Sequence, residues 1–190
     1  ESVPASDILR AELATQLDTD LYTHQADALA LLADDKNVCV ATSTSSGKTW
    51  VYGLQIARNY LDARRRAEER GGDADATAYV IYPMKALSRD QERELTDLYD
   101  DLGLDITVGV YDGDTERGET RRRIREDADV IITNFAGVNT YLHHHDKWAR
   151  FFRACELVVV DESHTYTGVH GMHVAWILRR LRRVIDYYGG

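Results

Sequence analysis

The chain has 190 residues, 44% of them hydrophobic, and a formal net charge of −9. A chain of this length can bury about 70% of its unfolded surface around one core, and its apolar content excludes disorder throughout. No segment approaches the ~18 apolar residues that span a bilayer, and the opening ESVPASDILR lacks the basic and apolar regions of a signal peptide; the expectation is a soluble, cytoplasmic protein with no membrane partner.

In chain order, an amphipathic stretch over residues 5–17 comes first. It predicts a helical extension over 1–20 that packs outside the domain formed by 21–190. Thr23 begins a helix through about Ala33. Residues 37–42 read as a strand, and 49–70 as a long helix ended by Gly71-Gly72. Strands are then predicted at 77–82, 105–110, 129–133 and 156–160, each Val- and Ile-rich and nearly continuous in apolar character. Helices are predicted between and after them at 84–101, 115–126, 135–143 and 167–187. This alternation is the pattern of an α/β fold: three layers, a mostly parallel sheet with helices on both faces. In such sheets ligands bind at the carboxyl ends of the strands.

The first motif follows the strand at 37–42. Ser43-Thr44-Ser45-Ser46-Gly47-Lys48-Thr49 leads straight into a helix and nearly matches the phosphate loop G-x-x-x-x-G-K-[ST], with Thr42 where the first glycine would stand. Backbone N–H groups at a helix N-terminus attract anions. Thr44, Ser45, Ser46 and Gly47 would cradle the phosphates of ATP, Lys48 would add a point charge, and the Thr49 hydroxyl would ligate Mg²⁺. The second motif closes the strand at 156–160 with Asp161-Glu162-Ser163-His164. An Asp there can hold Mg²⁺ beside Thr49, and Glu162 can act as base toward the attacking water. His164 would couple this loop to its neighbours.

These motifs resemble the DEAD/DEAH-box helicases of superfamily 2, with DESH as the box. The resemblance implies a RecA-like P-loop NTPase domain and extends over nearly the whole chain. Leu21-Tyr22-Thr23-His24-Gln25 looks like the family's adenine-reading motif. It implies that Gln25 takes both hydrogen bonds on the adenine edge, with Tyr22 stacking nearby. Tyr82-Pro83-Met84-Lys85-Ala86-Leu87, Tyr111-Asp112-Gly113-Asp114-Thr115 and Ile132-Thr133-Asn134 look like the three motifs that line the nucleic-acid track. Pro83, Lys85, Gly113, Asp114, Thr133 and Asn134 are the implied contacts to the nucleic-acid backbone, which position a strand without reading its sequence. Met84 and Phe135 depart from the family pattern, so the loop after Asn134 is expected to differ.

Read together, ATSTSSGKT, YPMKALSRDQ, YDGDT, ITN, HHHDKWARF and VVVDESHTYTGVHGMHVAWILRRLRR are most similar to the mitomycin-repair-type, RecQ-like helicases. That likeness implies a 3′-to-5′ DNA translocase acting in repair. It favours single-stranded or partly duplex DNA over RNA, with an RNA remodeller or a catalytically weak binding module as alternatives. No S-A-T motif follows Asp161, and a second RecA-like domain with its arginine fingers is lacking. The expectation is one part of a larger helicase that hydrolyses ATP slowly by itself.

The rest of the chain offers less chemistry. A basic face is the usual footprint of a nucleic-acid binder, and the net charge here is acidic. However, Asp outnumbers Glu 21 to 11 and Arg outnumbers Lys 19 to 4. An Asp-rich, Lys-poor surface suits a halophilic archaeon, where molar salt screens charge within a few ångströms. Cys39 and Cys155 lie in or beside apolar runs, form no CxxC pair, and read as buried thiols. His143-His144-His145 reads as a solvated loop or the rim of a nucleic-acid site. The Arg runs at 64–66, 121–123 and 179–183 read as solvated helix faces, with 121–123 the best candidate for nucleic-acid contact.

Overall fold

The computed structural model describes residues 2–9, 11–17, 19–42, 46–83 and 88–190. Four strands, β3 (Thr77–Ile81), β4 (Val108–Val110), β5 (Val130–Thr133) and β6 (Cys155–Val160), form a sheet of order β4-β5-β3-β6. All three of its pairings are parallel. A two-stranded antiparallel ladder joins β1 (Ser2–Val3) to β2 (Leu21–Tyr22).

Alternate residues of the strands serve two cores. Ala78, Val80, Val130 and Ile132 pack with α2 (Thr23–Ala33), α3 (Lys48–Arg70) and α4 (Ser88–Asp101). Tyr79, Ile81 and Ile131 pack with α6 (Phe135–His143), α7 (Ala149–Arg153) and α8 (Gly168–Tyr188) on the other face. Both faces are covered, which is why β3 and β5 are buried at every position. Among the described residues the other α-helices are α1 (Ala11–Ala14) and α5 (Glu119–Asp127), with short 3-10 turns at Ala5–Asp7, His145–Trp148 and Ser163–Thr165. The predicted three-layer α/β architecture is therefore the observed one.

Several boundaries differ from expectation. Residues 37–42 form no strand, and among the described residues β6 is the sheet edge on its side. Val38 and Val40 still lean on the core while Cys39 is exposed. The apolar alternation thus reports which side chains are covered, whereas a strand also requires a hydrogen-bonded neighbour. The helix predicted from 115 begins at Glu119, because Thr115 is spent in a turn and Gly118 adopts φ 89°. Leu9 and Leu13 lie in the same core as Leu21 and Leu29, so the 5–17 stretch contributes to the interior instead of lying outside it. At the amino ends of the strands, Arg150 of α7 clamps Asp75 (3.0 and 3.1 Å) and Asp129 (3.5 Å). Burial raises the Asp129 carboxyl despite that guanidinium and the Thr107 N–H.

The two thiols are therefore unlike. Cys39 is exposed, correcting its assignment as buried, while burial pushes the Cys155 thiol up to about 12. At about pH 8 an alkylating reagent should modify Cys39 in the native protein and Cys155 only after unfolding. Mass spectrometry of the two peptides measures this, and equal native rates would contradict the described packing.

Candidate functional site

Parallel register brings the carboxyl ends of the four strands into one row. Ile81 of β3 pairs with Thr133 of β5 and with Val160 of β6, and Val110 of β4 pairs with Ile132. Bonds just past the strands extend the row. Asp161 N–H donates to Ile81 O (3.0 Å), Tyr82 N–H to Thr133 O (2.9 Å), and Tyr111 N–H to Ile132 O (2.9 Å). Asp161, Tyr82, Asn134 and Tyr111 therefore stand side by side, at the edge where α/β sheets hold ligands.

The phosphate-loop candidate lies at the head of α3. Gly47 is the helix N-cap with φ 72°, and a Cβ there would stand 2.6 Å from Gln25 Nε2, so both the backbone and the close approach require glycine. Lys48 opens the helix and its Nζ donates to Thr42 O (3.3 Å). The hydroxyls of Thr42 and Ser46 are 2.6 Å apart, a side-chain bond closing the base of the loop where Thr42 replaces the expected glycine. Thr44 and Ser45 lie outside the described residues.

The 21–25 segment holds this loop. Gln25 Oε1 accepts from Tyr22 N–H (2.8 Å), and Gln25 Nε2 donates to Gly47 O (2.9 Å). These partners fix the amide's orientation. Gln25 is buried and spends one lone pair and one N–H on the protein, leaving one of each for a ligand. It is a brace for the loop as well as the candidate adenine reader. His24, which sequence reasoning passed over, donates to Ser46 O from Nε2 (3.0 Å) and stacks on Tyr22, with centroids 5.9 Å apart. Tyr22 is 59% exposed, an aromatic face left open beside the loop.

The carboxylate pair follows β6. Glu162 adopts φ 47°, a left-handed conformation that costs a non-glycine residue about 1–2 kcal/mol. Its N–H donates to Asp161 Oδ1 (2.7 Å), and its carbonyl accepts from Thr165 N–H (2.9 Å) and Thr165 Oγ1 (2.8 Å). The strained turn is therefore pinned on both sides. Glu162 Oε2 is 3.4 Å from Nδ1 of the exposed His164. Asp161 N–H donates to Ile81 O, the next residue Tyr82 donates from its hydroxyl to Gln91 Oε1 (2.8 Å), and Thr49 Oγ1 donates to the same oxygen (3.3 Å), so hydrogen bonds through Gln91 link the head of α3 to the sheet beside the second motif.

This donor set fits Mg²⁺. It offers one hydroxyl and one carboxylate, and among the described residues no group of three or more His, Cys, Asp or Glu could hold an ion as a cage. Mg²⁺ characteristically takes one or two protein oxygens and completes its shell with phosphates and water.

The three track candidates fare differently. Asp112 Oδ1 accepts from the N–H groups of Asp114 (2.8 Å) and Thr115 (3.1 Å), which makes a tight turn with Gly113 and Asp114 exposed at its tip. Asn134 caps α6 by accepting from Gly137 N–H (2.9 Å). Both elements border a cavity of about 380 Å³ whose rim includes Arg125, His144 and Lys147. Pro83 is half-buried after β3, and Lys85 lies outside the described residues.

Thr133 corrects the expectation. It is 1% exposed, and its hydroxyl donates to Tyr111 O (2.7 Å) and lies 2.9 Å from Tyr141 OH, so it faces the interior and not a bound strand. Arg121, read as part of a solvated helix face and the best Arg candidate for contact, instead latches the turn: it donates to Thr115 O (3.0 Å) and Asp112 O (3.1 Å) and lies over the Tyr111 ring. Arg122 pairs with Glu119.

The DEAD/DEAH box helicase family profile matches residues 22–187. The chain is 35% identical over 182 residues to the ATP-dependent helicase YprA of Bacillus subtilis, covering 95% of this chain and 23% of that one. It is 39% identical over 171 residues to the ATP-dependent helicase hrq1 of Schizosaccharomyces pombe, covering 88% and 15%. The crystal structure of the helicase MrfA bound to DNA and AMPPNP superposes with a TM-score of 0.85 at 34% identity, covering all of this chain and 26% of that one. The chain thus spans roughly a quarter or less of each of these relatives. No helix among the described residues is long and apolar enough to cross a membrane.

Replacing Thr133 by Val keeps the shape but removes one of the two buried hydroxyl donors to Tyr111 O, the other being Tyr141 OH, and breaks the Thr133–Tyr141 bond. The expected cost is about 1–2 kcal/mol, seen as a lower urea midpoint with an unchanged slope. An unaltered midpoint would show that the hydroxyl is not part of the interior.

Proposed function

The chain belongs to the DEAD/DEAH box helicase family, and from that premise we propose that residues 21–190 are the first RecA-like motor domain of an ATP-driven DNA helicase or translocase that works in DNA repair. The observation that carries the reading is that Thr49 at the head of α3 and Tyr82, which follows the Ile81 bonded by Asp161 N–H, meet at one amide oxygen, while Glu162 is held in a strained turn at the end of β6. A bare nucleic-acid-binding module has no need of a water-activating carboxylate kept there against backbone strain.

In this reading the N–H groups at the start of α3 and the charge of Lys48 receive the β- and γ-phosphates of ATP. Thr49 and Asp161 would hold Mg²⁺. The metal supplies charge neutralisation between the phosphates. Glu162 accepts the proton of the attacking water, and His164, 3.4 Å from its carboxylate, links that base to the outer loop. Tyr22 offers its open ring to the adenine, and Gln25 offers its remaining acceptor and donor.

Pro83, Lys85, the Gly113-Asp114 tip and Asn134 grip the backbone of a DNA strand along the same edge. Arg125 and Lys147 at that rim supply positive charge there within an acidic chain. The DNA assignment draws on the likeness to MrfA bound to DNA. Fast hydrolysis is assigned to the complete motor, because an arginine finger from a second domain is worth about 10³–10⁵ in rate.

In the full-length protein, ATPase activity should rise with single-stranded DNA and rise less with RNA. Glu162→Gln should lower turnover by about 10²–10⁴ while nucleotide binding persists. An active Glu162→Gln would refute the proposed base, and stimulation by RNA alone would replace the DNA reading.

A further inference from the structure

Thr49 is joined to a cluster that the motifs do not name. Its hydroxyl donates to Gln91 Oε1 on α4 (3.3 Å). The same oxygen accepts from Tyr82 OH (2.8 Å) and Tyr52 OH (3.0 Å), and the two phenols lie 2.5 Å apart. Gln91 Nε2 donates to Glu94 Oε2 (3.0 Å), which fixes the end of the amide that faces the hydroxyls. Tyr52 and Tyr82 are buried, and burial holds both phenols above the ordinary tyrosine range, so they remain protonated donors.

Two physical constraints meet at this oxygen. A hydroxyl that ligates a metal spends a lone pair on the ion and must place its proton on another acceptor, and such outer partners orient the ligand. Gln91 Oε1 is that acceptor for Thr49. An amide oxygen has only two lone pairs; because the two phenols also bond each other, one phenol proton goes to its neighbour, and Thr49 shares the oxygen with the other phenol. Tyr82 immediately precedes Pro83, where the 83–87 track segment begins. A displacement of Tyr82 therefore changes how firmly Thr49 is held.

We propose that Gln91 is a positioning residue that aims the Thr49 hydroxyl at Mg²⁺ and, through Tyr82, couples the nucleotide site to a nucleic-acid strand bound beside Pro83. This rests on the motor-domain reading above and adds a specific link between its two sites.

The test measures binding of a fluorescent ATP analogue to the full-length protein as Mg²⁺ is varied, with and without single-stranded DNA. Gln91→Leu removes the acceptor and should raise the Mg²⁺ needed for half-maximal binding about tenfold or more, the usual scale for a lost outer-shell partner. Binding without Mg²⁺ should be unchanged, and Gln91→Glu, which keeps an acceptor oxygen, should restore most of the Mg²⁺ response. Tyr82→Phe preserves shape and should abolish the change in Mg²⁺ requirement that DNA produces in the wild type.

Wild-type Mg²⁺ dependence in Gln91→Leu would overturn the positioning role while leaving the motor reading intact. A normal DNA response in Tyr82→Phe would overturn the coupling, whether or not Gln91→Leu folds. If the wild type shows no Mg²⁺-dependent nucleotide binding, the motor reading and this inference both fall.

Discussion

Hydrogen bonds in a parallel sheet decide which strands are neighbours and also where each one ends. In this protein three bonds beyond the ladder carry that constraint: Asp161 N–H to Ile81 O, Tyr82 N–H to Thr133 O, and Tyr111 N–H to Ile132 O. They set the carboxylate pair, Tyr82 with Pro83, the capped Asn134 and the Gly113-Asp114 turn in one row. A slip of one residue at β3 would turn Tyr82 to the opposite face and separate its phenol from Tyr52 and Gln91. The chemistry proposed for the site depends on this register more than on any single side chain.

The row is held from both sides. Tyr79 and Ile81 anchor β3 to the helices of one face, while Ala78, Val80 and Tyr82 anchor it to the other. Interiors so closely packed transmit small displacements, and the site is built to use that property. Gln25 ties the 21–25 segment to Gly47, and Gln91 ties α4 to Thr49. Two buried or half-buried amides thus link the phosphate loop to neighbouring elements, each with donors and acceptors committed on both sides. Polar groups in such positions cost free energy unless satisfied, which makes their geometry narrow and their replacement informative.

The sheet, its helices and the two ATP motifs were legible because their signals are local. Apolar runs marked β3, β5 and β6, and the segments 43–49 and 161–162 stood directly after apolar runs. What escaped were features that depend on partners distant in sequence. Residues 37–42 carry a strand's apolarity without a ladder partner among the described residues. Thr133 belongs to a motif at the right end of β5, yet strand alternation turns its hydroxyl toward Tyr141. Arg121 looked like a free cation until the Asp112–Thr115 turn supplied carbonyls for it. His24 and Gln91 were both inside motifs already quoted, but their roles follow from Ser46 and Thr49, 22 and 42 residues away. The short helices over 145–153 gave no clear period, being too brief to show one.

The central claim is that the head of α3 and the end of β6 share one metal ion with a bound nucleotide. Affinity cleavage examines it directly: Fe²⁺ replaces Mg²⁺ in the presence of an ATP analogue, and the hydroxyl radicals it generates cut the chain near the ion. Cuts clustered at Thr49 and at Asp161–Glu162, dependent on nucleotide and lost in Lys48→Ala, are the predicted result. Nucleotide-dependent cuts confined to other segments, with both of these positions intact, would contradict it.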